Sequence, residues 1–281
     1  MPKRPPFLKI IVHDDALEPG LTALCAGFEL GAWRAKAFAD YLMRSLPDFC
    51  LTFSEYSSLD HENAVELIAQ AAQRVYKTKK FRKRGEFGEL LLHVVLKHVY
   101  ETVPAISKIY YKDSANDTVK GFDAVHVVVS DEALELWLGE VKFYSKIDVA
   151  IRDVTNELVK HTDAEYLRSE FLAIRGKIDP SWPHADRLKL LIDENVSLDE
   201  VFDCVCIPVL LTYDGEVTQR HSALSDNYKS ELQAEIAKIY QRFASGSLPP
   251  AIKIHLFLVP LATKTLFLQA LDEKLRTWQK I

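Results

Sequence analysis

The chain has 281 residues, of which 48% are hydrophobic and 27% are charged. These proportions are typical of a folded globular protein and exclude a disordered chain, a collagen and a long coiled coil. The net charge of −5 excludes a protein that coats nucleic acid with its whole surface, so binding to a polyanion would require a local basic patch.

Four cysteines are too few to indicate a secreted disulfide framework. The N-terminal sequence lacks the continuous apolar segment of a secretory signal, and no apolar run approaches the ~20 residues of a membrane-spanning helix. We therefore expect a cytoplasmic protein that does not bind a membrane.

The first part of the chain predicts a small α/β lobe. Apolar runs indicate strands over 7–13 and 50–54, and helical spacing predicts helices over 33–46 and about 59–76. We expect these elements to form an N-terminal accessory lobe over 1–80, followed by a core domain with a C-terminal extension over 81–281.

The composition changes abruptly at this expected boundary, where seven of the eleven residues from 74 to 84 are basic. Such a run forms either a solvated loop or a surface that binds the phosphates of a nucleic acid. The candidate DNA-binding residues are Lys79, Lys80, Arg82, Lys83 and Arg84.

The rest of the chain alternates between helical and strand patterns. The predicted elements are a helix over 85–100, a short strand over 105–112, a hairpin of strands over 121–130 and 134–144, a helix over 147–175, a short helix near 185–193, a strand over 203–213, a helix over 226–244, a strand over 251–259 and a helix over 263–279. This order predicts an α/β fold with a mixed central sheet flanked by helices.

The predicted hairpin carries the residues with the clearest chemistry. Glu140 and Lys142 are two positions apart on a strand, so their side chains leave the same face. Asp123 begins the preceding strand, and an antiparallel hairpin brings that beginning next to the end of its partner. The alternative without a functional role is that Asp123 is an ordinary turn residue and that Glu140 and Lys142 belong to an exposed cross-strand ion pair.

Two converging carboxylates repel each other unless a cation lies between them. Mg²⁺ prefers oxygen ligands and binds one or two carboxylates together with substrate phosphates, and Mn²⁺ is a possible substitute. Lys142 would then stabilise the charge that develops at phosphorus or help to position the attacking water. The acidic-x-Lys triplet at 272–274 lies on a predicted helix, where such residues cannot share a site.

The helix over 85–100 has a polar stripe formed by Glu86, Glu89, His93 and Lys97. The stripe is either a solvated face or the source of a third metal-binding acid, for which Glu89 is the first candidate and Glu86 the alternative. Glu157 and His161 lie one turn apart on a later helix and are expected to form an ordinary surface pair. No Gly-rich phosphate loop is present, so any ATP-driven motor must be a partner.

The order Glu89, GFD at Asp123 and Glu140-Val141-Lys142 resembles the core of the PD-(D/E)XK nuclease superfamily, which is restriction-endonuclease-like. The segments RGEFGELLLHVVL, GFDAVHVVV and LWLGEVKFYSK further resemble the HamA family, the nuclease subunits of the bacterial Hachiman anti-phage system. Glycine and phenylalanine precede Asp123 in place of the proline-containing turn that often precedes this acid in the superfamily.

The resemblance implies a metal-dependent DNase that works with a separate helicase subunit, HamB, in anti-phage defence. By position, Asp123 and Glu140 would be metal ligands, Lys142 the catalytic lysine and Glu89 the helix acid. Two alternatives remain open, namely a non-catalytic adaptor that binds DNA and a helicase, and a DNA-repair nuclease.

Overall fold

A computed structural model of the chain describes residues 5–75, 85–106, 121–130 and 133–281. Its strands are β1 (Lys9–Asp14), β2 (Gly20–Cys25), β3 (Phe28–Glu29), β4 (Ala32–Trp33), β5 (Val103–Pro104), β6 (Ala124–Val129), β7 (Leu134–Phe143), β8 (Val205–Asp214) and β9 (Lys253–Leu261). Its helices are α1 (Ala35–Met43), α2 (Leu46–Cys50), α3 (Phe53–Ser57), α4 (Ala64–Arg74), α5 (Glu86–Tyr100), α6 (Ile147–His161), α7 (Ala164–Arg175), α8 (Ala185–Leu191), α9 (Leu198–Phe202), α10 (Glu216–Arg220), α11 (Asp226–Ala244) and α12 (Lys264–Trp278).

Within the described residues, a seven-stranded sheet has the order β1-β2-β9-β8-β7-β6-β5. Strands β2, β9, β8 and β7 run parallel to one another, while β1 at one edge and β6 and β5 at the other pair antiparallel with their neighbours. Helices cover both faces of the sheet. The predicted α/β class, with a mixed central sheet flanked by helices, is therefore confirmed.

The two faces of the sheet bury two separate apolar cores. One core joins Leu136 and Leu138 of β7 to Val154 and Leu158 of α6, and it also includes residues of α7, α8 and α11. The other core joins Trp137 of β7 to α1, α4, α5 and α12. Because neighbouring strand residues point to opposite faces, β7 is buried on both sides and contributes to each core in turn.

Helix α5 packs unusually closely on β7 because both elements place a glycine at the contact. A β-carbon on Gly88 would lie 2.9 Å from Cβ of Phe143, and one on Gly139 would lie 2.7 Å from Cδ2 of Leu92. The backbones of the helix and the strand can therefore approach more closely than larger side chains would allow. This contact sets the position of the first turn of α5 relative to the end of β7.

The predicted strand over 50–54 is wrong, because the structure has helices α2 and α3 there. Pro47 lies in the first turn of α2, where the missing N–H of proline is tolerated because it has no partner within the helix. Thr52 and Glu55 form a reciprocal capping box that starts α3.

Further differences concern the number of elements, and two of them affect the site and the central sheet. The helix predicted over 147–175 is divided into α6 and α7, because the carboxylate of Asp163 caps α7 by accepting from the N–H groups of Glu165 and Tyr166. Strand β2 was not predicted at all, although it is buried along its whole length between β1 and β9.

The boundary expected between residues 80 and 81 lies outside the described residues, so the division into two domains stays a prediction. Of the strands that precede it, β1 and β2 belong to the central sheet, whereas β3 and β4 pair with each other in a separate two-stranded sheet. Most of the strand predicted over 105–112 also falls outside the described residues, and β5 ends just before that range. None of the helices in the described ranges combines the length and apolarity needed to cross a bilayer.

We expect Gly88→Ala to destabilise the protein by about 1–3 kcal/mol, because the added methyl group meets a β-carbon that cannot move aside. Gly176→Ala is the matched control, since its β-carbon would make only ordinary contacts. Urea unfolding of both variants measures the difference in the free energy of unfolding. Equal stability of the two variants would contradict the close packing of α5 on β7.

Candidate functional site

The candidate site lies where β6 begins and β7 ends. Ala124 pairs with Gly139, so the residue before it, Asp123, lies opposite Glu140. The backbone N–H of Asp123 donates to the carbonyl of Gly139 over 2.7 Å, and Oδ2 of Asp123 accepts from the N–H of Val141 over 2.9 Å. The Asp123 carboxylate is therefore fixed to the backbone of β7, as the hairpin prediction required.

Glu140 is almost completely buried, with 1% of its surface exposed. Burial raises the pKa of Glu140, and the nearby negative charge of Asp123 raises it further. His161 opposes this effect, because its Nδ1 forms a short hydrogen bond with Oε1 of Glu140. The two acids are thus close enough to interact, and they share a site with a basic partner.

Lys142 lies two residues beyond Glu140 and is also buried, with 8% of its surface exposed. Its Nζ donates a short hydrogen bond to Oε2 of Glu157. Burial would lower the pKa of Lys142, but this hydrogen bond and the charge of Glu140 outweigh burial and raise it. Lys142 is therefore held as an ammonium beside the two acids.

The interpretation of Glu157 and His161 as an ordinary surface pair is wrong. Both side chains face the sheet from α6, and each binds one of the predicted site residues of β7. The spacing of these residues in the sequence indicates the pairing, because residues one helical turn apart are separated by about the same distance as residues two positions apart on a strand. Four helical residues rise about 6 Å and two strand residues about 6.6 Å, so the two pairs match in spacing.

Aromatic rings hold His161 in place. Its imidazole stacks on Tyr166 of α7, with ring centroids 4.5 Å apart and an interplanar angle of 8°. Phe122, next to Asp123, meets the same imidazole edge-on at 5.4 Å. Just before it, Gly121 has a φ of +116°, a conformation that favours glycine, and a β-carbon there would collide with Glu170. The turn into β6 thus depends on this glycine.

Glu89 lies in the first turn of α5 and is 8% exposed. Helix α5 packs on the face of β7 that carries Val141 and Phe143, whereas Glu140 and Lys142 leave the other face. Asp123, Glu140 and Lys142 are therefore brought together, while Glu89 approaches the same end of β7 from the opposite side. Its role as a third acid, and the choice between Glu89 and Glu86, stay predictions.

The remainder of the polar stripe on α5, His93 and Lys97, forms contacts within the protein away from the candidate site. His93 is buried and bonds to Asp48 of α2 through Nε2 and to His126 of β6 through Nδ1. Lys97 also pairs with Asp48. Although burial opposes ionisation, His93 and Lys97 lower the pKa of Asp48 to about 2. This network joins α2, α5 and β6.

The five candidate DNA-binding residues, Lys79, Lys80, Arg82, Lys83 and Arg84, lie outside the described residues. Arg74, at the start of the same basic run, is engaged within the protein. Its guanidinium bonds to both carboxylate oxygens of Glu55 and to the carbonyl of Cys50. Arg74 is therefore a structural residue of α4 rather than a candidate for DNA binding.

Comparison with known proteins supports the resemblance that the sequence motifs carry. The family model for HamA matches residues 5–275, almost the whole chain. The chain belongs to the HamA family. This membership associates it with Hachiman anti-phage defence. No match to the chain was found among curated proteins.

The donor atoms of this HamA-family site fit a hard divalent cation. Asp123 and Glu140 offer carboxylate oxygens, which Mg²⁺ prefers over nitrogen or sulfur. Burial, and to a smaller extent the charge of Asp123, raises the pKa of Glu140, so a cation bound there would stabilise the ionised carboxylate. Asp123 and Glu140 are thus the residues that could hold the metal, and Lys142 is the cation that would remain beside it.

We expect Lys142 and Glu157 to be energetically coupled in this HamA-family chain, because removing Glu157 leaves a buried ammonium without its partner. A double-mutant cycle of Lys142→Met and Glu157→Gln, measured by urea unfolding, should give a coupling energy of about 1 kcal/mol or more. Exposed Lys146 provides the control, since Lys146→Met should be additive with Glu157→Gln. Additivity of the first pair would contradict the contact.

Proposed function

We propose that the chain is a Mg²⁺-dependent DNA nuclease that hydrolyses phosphodiester bonds. The observation that carries the proposal is the convergence of Asp123, Glu140 and Lys142 at one end of the sheet. Membership of the HamA family and the α/β fold support it. The order of acid, acid and lysine is also that of the PD-(D/E)XK superfamily.

Asp123 and Glu140 would hold the metal, with Glu89 as the proposed third acid and Mn²⁺ as a possible substitute. Mg²⁺ bound there would neutralise the phosphate and activate water for attack. Asp123 contributes a carboxylate that is already oriented, because its Oδ2 accepts from the N–H of Val141. Glu140 contributes a buried carboxylate, whose affinity for a cation is strengthened by the low local dielectric.

Lys142 is the proposed catalytic cation. Its ammonium can donate to a phosphate oxygen or to the attacking water and thereby stabilise negative charge as it develops. Glu157 and His161 are proposed as positioning residues, because they act through Lys142 and Glu140 respectively. Both positioning residues lie on α6, so the orientation of Glu140 and Lys142 depends on the packing of that helix on β7.

DNA and a helicase complete the proposal. The basic run that contains residues 79–84 directly precedes α5 in the chain, and α5 begins beside the end of β7. We propose that the run binds the DNA backbone. We also propose that the chain acts in the cytoplasm. We further propose that the helicase subunit HamB is its partner, since the sequence of the chain carries no phosphate-binding loop with which to drive unwinding itself.

We expect Asp123→Asn, Glu140→Gln and Lys142→Ala each to slow Mg²⁺-dependent plasmid cleavage by about a hundredfold or more, because each removes a metal ligand or the charge beside it. Cleavage should be assayed with HamB and ATP present and absent. Glu273→Gln is the control, since Glu273 belongs to the acidic-x-Lys triplet on α12 and is exposed.

Wild-type rates in the three site variants, with circular dichroism showing that they are folded, would refute the assignment of the site. Absence of Mg²⁺-dependent cleavage by the wild-type chain under every activating condition would instead favour the non-catalytic adaptor. Comparison of branched, nicked and linear DNA separates a defence nuclease from a repair nuclease that prefers junctions.

We expect replacement of the five basic residues at 79–84 by serine to weaken DNA binding and to flatten its salt dependence, by about 0.9 in the log–log slope for each lost phosphate contact. Fluorescence anisotropy over a series of salt concentrations measures both effects. A control variant with the same charge change replaces exposed residues elsewhere, namely Lys36, Arg220, Lys229, Lys238 and Lys280. An unchanged slope in the first variant would contradict the proposed contacts.

A further inference from the structure

A second cluster of potential metal ligands lies away from the candidate site. It consists of His13 of β1, Asp15 just after β1 and His255 of β9, and their ligand atoms all lie within 4.8 Å of one another. Nε2 of His13 is 3.3 Å from Oδ2 of Asp15, and Nδ1 of His255 is 3.5 Å from Oδ1 of the same residue. Donor atoms about 2.0–2.1 Å from a tetrahedral zinc ion are themselves separated by about 3.3 Å, so this spacing fits one ion.

Thr22 of β2 orients both imidazoles through a single atom. Its Oγ1 lies 2.8 Å from Nδ1 of His13 and 2.8 Å from Nε2 of His255. A hydroxyl oxygen has two lone pairs and can accept an N–H from each ring. In that arrangement Nε2 of His13 and Nδ1 of His255 carry the lone pairs, and these are the nitrogens next to Asp15. Hydrogen bonding of the second ring nitrogen is the usual support of a metal-binding histidine.

The surroundings supply a buried imidazole, a fixed carboxylate and access. His255 is buried, with 2% of its surface exposed. The hydroxyl of Tyr100, at the end of α5, donates a short hydrogen bond to Oδ1 of Asp15. A cavity of about 530 Å³ is lined by Asp15, Gly20 and His255, among others, and a β-carbon on Gly20 would collide with the imidazole of His255.

We propose that His13, Asp15 and His255 form a binding site for a divalent transition-metal ion of the zinc class. Two imidazoles and one carboxylate suit zinc and similar ions, whereas Mg²⁺ prefers oxygen ligands alone. The site is separate from the candidate nuclease site, because Thr22 and His255 lie on the face of the sheet covered by α5, and Glu140 lies on the face covered by α6. The ion would join the end of edge strand β1 to β9 across β2.

The test uses the full chain, stripped with a chelator and titrated calorimetrically with Zn²⁺. With Mg²⁺ in excess to occupy the candidate nuclease site, we expect one Zn²⁺ to bind, and we expect His13→Gln and Asp15→Asn to weaken that binding at least tenfold. His61→Gln is the matched control, because His61 is an exposed histidine beside an acid, Glu62, and belongs to no group of three potential ligands among the described residues. Saturating Zn²⁺ should raise the melting temperature of the wild type and of the control, but not that of the two site variants.

Co²⁺ in place of Zn²⁺ gives a spectroscopic readout, since tetrahedral cobalt absorbs strongly in the visible range. We expect these bands in the wild type and their loss in Asp15→Asn. The double variant Asp123→Asn with Glu140→Gln should keep both the bands and the Zn²⁺ affinity. Failure of the wild type to bind Zn²⁺, undiminished binding by both His13→Gln and Asp15→Asn, or loss of binding in the double variant would each overturn the proposal, whatever the outcome of the cleavage assays.

Discussion

The antiparallel pairing of β6 with β7 is the constraint on which the candidate site depends. It places Asp123 opposite Glu140 and allows the Asp123 carboxylate to accept from the backbone of Val141. The pairing therefore forces two acids together in a region where solvation is poor. The neighbouring helix compensates for that repulsion with His161, and Lys142 adds a second positive charge. A divalent cation bound by the two acids would change this balance between negative and positive side chains.

Helix α6 fits this arrangement because its axis follows β7 and its residue spacing matches that of the strand. His161 meets Glu140, and Glu157 meets Lys142, so the helix runs antiparallel to the strand at the site. The apolar residues between the two elements, including Leu138 and Leu158, keep them in register. The polar contacts and the core packing thus support each other, since a shift of α6 would break both ion pairs together.

Much of the fold follows from local patterns, because long helices and the β6–β7 hairpin have strong periodicity. The same hairpin predicts the meeting of Asp123, Glu140 and Lys142. Local patterns fail where a distant contact decides the outcome. Strand β2 is stabilised by β9, more than 200 residues later in the chain, and the role of Glu157 and His161 depends on how α6 packs on the sheet. Short helices such as α3 depend on a side-chain cap, which here favours a helix where the apolar residues alone predict a strand.

The outer strands of the sheet have a consequence for assembly. Strand β1 contains an irregularity between Ile10 and Val12 that interrupts its pairing, and β5 has only two residues, one of which is Pro104 with no N–H to donate. Such edges resist the addition of a foreign strand. These edges thereby protect the protein from indiscriminate self-association, and contacts with any partner would be left to the side chains of its helices and loops.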